Sequence, residues 1–143
     1  MNKVEPSRSD KHYRESLNRL PQLADAAIRL SLAEEIEKLR AAPGWQDASG
    51  RSSATLVKHE DFRVVLTLMK QGGRISHHRA RGSISIQTIL GKVRLLVSGC
   101  DVCELGAGDV LALQSNLEHD VEALEESAFL LTMAGTDSVQ GNP

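Results

Sequence analysis

The chain has 143 residues, a length that is typical of one domain with its own hydrophobic core. Its net charge of −2 provides no basic field to attract nucleic acid or an anionic membrane, and its four aromatic residues are too few for a base-stacking platform. No apolar run is long enough to span a bilayer, and the first residues lack the apolar segment of a secretory signal. We therefore expect a cytoplasmic protein without nucleic-acid or membrane partners.

Residues 1–44 are predicted to form an N-terminal helical arm. Ser9 or Asp10 is a suitable cap for a first helix through Leu20, and Pro21 either kinks the chain or opens a second helix. The second helix has apolar residues at intervals of about 3.6 positions; they are Leu23, Ala26, Ala27, Leu30, Ala33, Ile36 and Leu39. It is expected to end at the Pro-Gly pair at 43–44. The arm should lie on the rest of the protein or on a partner subunit, or serve as a docking arm for another protein.

Residues 44–53 are predicted to be a linker, in which Trp45 anchors the chain. Residues 54–136 have short Val-, Ile- and Leu-rich runs separated by glycines, which is typical of an all-β sandwich or barrel. Nine strands are predicted; they are Ala54–Lys58, Phe62–Lys70, Arg74–His78, Ser83–Leu90, Lys92–Val97, Val102–Leu105, Asp109–Leu113, His119–Ala123 and Ser127–Ala134. Residues 137–143 are expected to form a flexible tail.

Two blocks of this β region carry histidines at defined distances from glycines. In the first block, Gly72 is followed after five residues by His78, and the block closes at Gly91. In the second block, Gly108 precedes His119, with Asn116 between them. Because strand residues alternate between two faces, His78 and His119 on different strands are able to converge on one interior point.

This spacing resembles the paired motifs of the cupin superfamily, and the resemblance covers residues 54–134. It implies a jelly-roll β-barrel, commonly a homodimer, and the apolar strand Phe62–Met69 fits a buried interface. It also implies a site for a divalent transition metal (Fe, Mn, Ni, Zn or Cu), usually held by three His and one Glu. In this sequence His78 and His119 occupy two of those positions, whereas Ala80 and Ile84 occupy the other two.

The two apolar replacements remove half of the metal donors, including the only carboxylate. A catalytic metal site usually needs three protein ligands and an open position. His77, after a shift of register, or Gln87 are the remaining candidates, although alternation places Gln87 away from Ile84 and Ile86. Arg74, Arg79 and Arg81 near the first block are either solvated charges or ligands for a carboxylate at the barrel mouth.

Three functions remain open at this point. The first is a non-enzymatic binding or sensing barrel, whose pocket of His78, Ile84, Ile86 and His119 holds a small apolar or weakly acidic molecule. The second is a metal-dependent enzyme of the dioxygenase or isomerase type, in which His78 and His119 bind the metal. The third is a structural or regulatory protein that docks through residues 10–40.

Overall fold

The structure, a computed structural model, describes residues 23–46 and 50–135. The predicted first helix and the predicted tail lie outside these residues. The described elements, in chain order, are α1 (Leu32–Ala41), α2 (Pro43–Gln46), β1 (Arg51–Lys58), β2 (Phe62–Met69), β3 (Arg74–His78), β4 (Ser83–Leu90), β5 (Lys92–Val97), β6 (Cys103–Gly106), β7 (Val110–Leu113), β8 (His119–Ala123) and β9 (Ser127–Ala134). Neither of the two helices is long and apolar enough to cross a membrane.

The strands form two antiparallel sheets that face each other. The larger sheet has the order β1-β2-β9-β4-β7, and the smaller has the order β3-β8-β5-β6. Strands that are neighbours in the sequence are thus often placed in opposite sheets, as in a jelly roll. The predicted all-β barrel is confirmed. Bounds shift by one residue in three strands, β2, β6 and β7. Strand β1 begins at Arg51, within the segment predicted to be a linker and before the predicted barrel start at 54.

The prediction that the second helix begins near Pro21 is wrong for the described residues. Residues 23–30 are not helical, and α1 starts at Leu32 because Ser31 caps it, its hydroxyl accepting from the backbone N–H of Glu34. Acidic residues occupy the first turn of α1 and basic residues the last, which favours the helix dipole. The local cap and charge pattern therefore outweighs the longer apolar stripe.

The larger sheet has a hydrophobic core on each of its faces. Between the sheets, Val65 and Met69 of β2 join the inner core. On the outer face, alternate residues of the same strand, Val64, Leu66 and Leu68, pack in a cluster with Ile36, Leu39 and Trp45 of the helical segment. The helix thus covers the apolar outer face of β2, so the apolar character of this strand is no longer evidence for a subunit interface. Homodimerisation stays a prediction.

The smaller sheet has a polar outer face, in contrast to the larger sheet. Arg94 on β5 pairs with Glu104 at 3.3 Å and with Glu122 at 3.8 Å. Half-exposed ion pairs of this kind contribute little to stability. The two sheets therefore differ in what their outer faces contact.

The framework positions of the two sequence blocks share a backbone conformation. Gly72, Gly91 and Gly108 have positive φ angles of 83°, 78° and 92°. Asn116 stands where the cupin pattern has glycine, and it is the one non-glycine among the described residues with positive φ, at 66°. Asn is among the residues that tolerate this left-handed conformation best, so the substitution preserves the turn.

Replacing Gly91 by alanine is expected to lower the free energy of unfolding by more than about 2 kcal/mol. The left-handed backbone disfavours any residue with a Cβ, and a Cβ here would lie 2.3 Å from the carbonyl oxygen of Glu126. Chemical denaturation of the purified variant measures the loss.

Two matched variants separate backbone strain from the clash. Gly99→Ala carries the same strain, at φ 77°, but its Cβ would meet nothing within 4 Å, so its cost should be smaller. Gly44→Ala has neither problem and should leave stability unchanged or slightly raised. Equal losses for Gly91→Ala and Gly99→Ala would show that the close approach to Glu126 is unimportant.

Candidate functional site

The two sequence blocks are joined through backbone hydrogen bonds of β3 and β8. The N–H of Gly72 donates to the carbonyl of Ala123, and the N–H of Ala123 donates to the carbonyl of Gly73. At the other end of the pair, the N–H of Asn116 donates to the carbonyl of Ala80. These bonds fix the position of one block on the other, although the paired positions His78 and His119 are 41 residues apart along the chain.

A β-bulge in β3 decides which histidine lies opposite His119. Ile75 pairs with Val121, but the register then shifts, and His78 pairs with His119. In a regular strand, alternation from Ile75 would assign the inner face to position 77. The extra residue of the bulge reverses this assignment, so Ile75 and His78 both line the space between the sheets.

His78 and His119 form a cross-strand pair of rings. Their centroids are 5.3 Å apart and the ring planes are tilted by 52°. His119 is buried, and its Nδ1 lies 3.1 Å from the carbonyl oxygen of Leu117. Because a carbonyl only accepts, Nδ1 carries a proton and donates it, which leaves a lone pair on Nε2 of the neutral ring. The pair therefore offers at least one oriented nitrogen acceptor.

This histidine pair lies on a cavity of about 280 Å³ between the sheets. The volume is close to the lower end of the range for small-molecule pockets, about 300–1,000 Å³. Six apolar side chains form most of the wall; they are Val65, Ile75, Ile86, Val121, Phe129 and Leu131. Five polar residues complete it; they are Arg51, Ser53, Thr67, His78 and His119.

The sequence-predicted pocket residues are brought together only in part. His78, Ile86 and His119 line the cavity, whereas Ile84 does not. Ile84 lies two residues before Ile86 on β4, where it pairs with Met133 and belongs to the inner core. Its side chain therefore packs between the sheets and does not line the cavity.

Two residues, Gln87 and His77, were predicted as possible further metal ligands, and the structure describes the side chain of only the first. Gln87 pairs with Leu130, which belongs to the outer cluster, so Gln87 faces away from the cavity. The side chain of His77 lies outside the described part of the structure. Across the side chains described in 23–46 and 50–135, no three His, Cys, Asp or Glu residues form a group that could hold a metal ion. The described donors thus do not fit a three-ligand catalytic metal site.

Sequence reasoning missed three polar residues that the first two strands supply. Arg51 and Ser53 of β1 share one face, and Ser53 pairs across the strands with Thr67 of β2. The two hydroxyl oxygens are 2.9 Å apart, within hydrogen-bond distance. The signal was the alternation of Arg51 and Ser53, but the polar composition of residues 44–53 predicted a linker there.

The arginines that were suggested to bind a carboxylate are not on the cavity. None of Arg74, Arg79 and Arg81 contributes to its lining, and all three are exposed. Arg79 instead forms an ion pair with Glu118 at 2.9 Å. The arginine that does line the cavity, Arg51, comes from the other sheet and from outside both blocks.

Comparison with known proteins identifies the architecture. No protein-family model matches the sequence, and no curated protein matches it. A cupin superfamily protein from Desulfitobacterium hafniense is 18% identical, with a TM-score of 0.63 over 81% of this chain and 97% of that one. The KdgF protein of a Halomonas species is 19% identical, with a TM-score of 0.56 over 63% of this chain and 85% of its own.

A larger enzyme contains the same architecture. Salicylate 1,2-dioxygenase from Pseudoaminobacter salicylatoxidans, solved as adducts with gentisate, is 14% identical, with a TM-score of 0.69 over 79% of this chain and 34% of the enzyme. At such identities the similarity concerns the fold alone. Together with the two facing sheets and the paired β3 and β8 strands, it shows that the chain has the fold of the cupin superfamily.

Proposed function

We propose that this protein is a non-catalytic barrel that binds or senses a small molecule in the cavity between its sheets. The observation that supports it is the cavity itself, which is walled by six apolar side chains and few polar ones. Ligand sites commonly combine a mainly apolar wall with a small number of oriented polar groups. The ligand contributes apolar surface, and the polar groups select its orientation.

The positions of the lining residues support a pocket that exists before the ligand arrives. Every one of them lies on a strand, and they come from both sheets. Strands β2, β9 and β4 are neighbours in the larger sheet, and β3 pairs with β8 in the smaller. Backbone pairing therefore fixes the lining residues within each wall, and little conformational entropy is lost on binding.

Benzyl alcohol, a neutral amphipathic probe, is expected to bind wild-type protein reversibly. Amide chemical-shift changes in NMR should concentrate in β2, β3, β8 and β9, whose side chains surround the space. Leu131→Trp should strongly reduce these changes, because the larger side chain occupies part of the cavity. Ile86→Phe is a second filling variant, should the first not fold.

The matched control places a tryptophan outside the cavity. Val110 on β7 is 55% exposed, so Val110→Trp should leave binding unchanged. Binding that survives both filling variants, in folded protein, would locate the probe elsewhere and remove the basis of the proposal.

The metal-dependent alternative is favoured by one observation, the His78–His119 pair with its oriented Nε2. Against it, Ala80 and Ile84 stand at the other two ligand positions and have no side-chain donor. Two neutral imidazoles without a carboxylate form a weak site for a divalent cation. The same residues are equally suited to hydrogen-bond a ligand.

We expect untagged protein, dialysed against a chelator, to retain far less than one metal ion per chain, because the described lining has two imidazoles and no carboxylate or thiol. Elemental analysis measures the content. Any Zn²⁺ bound on re-addition should be lost in the double variant His78→Ala/His119→Ala. His59→Ala is the matched control, since His59 Nε2 contacts the carbonyl of Asp25 and lies away from the cavity.

Near-stoichiometric metal that resists the chelator in wild type and in His59→Ala, but not in the double variant, would contradict the non-catalytic proposal. A dioxygenase or isomerase would then be the better interpretation, and oxygen consumption would be measured with the metal-loaded protein.

A further inference from the structure

We propose that the ligand of this cavity is an anion, specifically a small carboxylate with an apolar body, and that Arg51 binds its head group. The inference rests on the proposed binding function and names the chemical class of the ligand. It begins from the charge of the lining. Among the lining residues Arg51 is permanently cationic, His78 and His119 are neutral or cationic, and none is acidic.

The Ser53–Thr67 pair adds donor capacity beside Arg51. Two hydroxyl groups carry two protons, and the bond between them at 2.9 Å uses one. The pair thus retains one proton that is able to donate to a ligand. Ser53 is two residues from Arg51 on the same face of β1, so the guanidinium and the spare hydroxyl proton serve the same region.

Arg51 and the histidine pair mark different parts of the cavity. The carbonyl of Gly50, just before Arg51, accepts from the N–H of Lys70, at the turn that leads into β3. Ile75 is the first cavity-lining residue of β3 after that turn, and His78 follows three positions later. Strands rise by about 3.3 Å per residue, so the histidines lie well beyond the Arg51 end.

Because Arg51 and the histidine pair lie at different ends of the cavity, a bound ligand has a preferred orientation. Arg51 is exposed and lies on the edge strand β1, so its charge stays in contact with water at the rim. A carboxylate bound there keeps part of its hydration, whereas the ligand's apolar body enters between Val65, Phe129 and Leu131. A hydroxyl or amine at the far end would meet the acceptor nitrogen of His119.

A carboxylate fits this arrangement better than a phosphate. Arginine binds a carboxylate through two parallel hydrogen bonds, and one arginine suffices for a single negative charge. A phosphate dianion carries two negative charges, so its binding would require more cationic groups than one arginine at the rim. The remaining wall is mainly apolar, which favours a compact hydrophobic acid.

The test compares three probes with the same ring and different head groups: benzoate, benzyl alcohol and benzylamine. By NMR titration, wild-type protein should bind benzoate at least about tenfold more tightly than benzyl alcohol, as a charge-assisted hydrogen bond implies. Benzylamine should bind most weakly. Added salt should reduce the preference for benzoate, because Arg51 lies at an exposed rim.

Variants assign the preference to Arg51. Arg51→Gln should remove the preference for benzoate and leave the affinity for benzyl alcohol unchanged. Arg51→Lys should keep part of it, because lysine retains the charge but not the planar fork. Thr67→Val should reduce it by a smaller factor. Arg74→Gln is the matched control, since Arg74 is exposed and does not line the cavity.

The outcomes separate this inference from the proposed function. Equal affinity for the three probes in wild type, or a benzoate preference that survives Arg51→Gln, would overturn the inference while the binding barrel stands. Failure of all three probes to reach the cavity would overturn both. Loss of the benzoate preference in Arg74→Gln but not in Arg51→Gln would assign the binding of the head group to Arg74 of the smaller sheet. The assignment to Arg51 would then be wrong.

Discussion

The β-bulge in β3 is the constraint on which the candidate site depends. Backbone pairing of β3 with β8 brings the two sequence blocks together. Without the bulge, however, residue 77 and not His78 would lie opposite His119. One extra residue in β3 changes which side chains face inward, and it does so only after Ile75. A bulge next to a site commonly re-aims a side chain in this way. The histidine pair is thus a product of backbone geometry as much as of residue identity.

The sequence was sufficient to predict the fold, because the relevant signals are local. Five strands have the bounds that alternation and turn residues predicted, from Arg74–His78 to Ser127–Ala134. The positive φ of Asn116 explains how the spacing of the second block survives without its glycine. The spacing of framework residues therefore carries information on fold independently of the residues that would bind a metal.

The candidate site was less predictable, because it depends on register and on pairs of distant strands. Ile84 and Ile86 are indistinguishable by alternation, yet of the two only Ile86 lines the cavity. Arg51 lies in a polar stretch, where its alternation with Ser53 is the one signal and no apolar residue indicates which face is the inner one. Its place follows from β2, which pairs with β1 back to Arg51 across a register shift between Thr55 and Val57.

The packing on the two faces of the larger sheet explains how the protein keeps a cavity between its sheets. The outer face is closed by the helix through Ile36 and Leu39, so this sheet does not need to collapse onto the smaller one to bury its apolar residues. Thr67 lines the cavity directly between Leu66 and Leu68, which face the helix. Helix packing thus stabilises the strand on one face and leaves the other free for polar side chains. Among the described lining residues Arg51 is the one permanent charge and none is acidic, which is the basis for proposing that the site binds anions rather than cations.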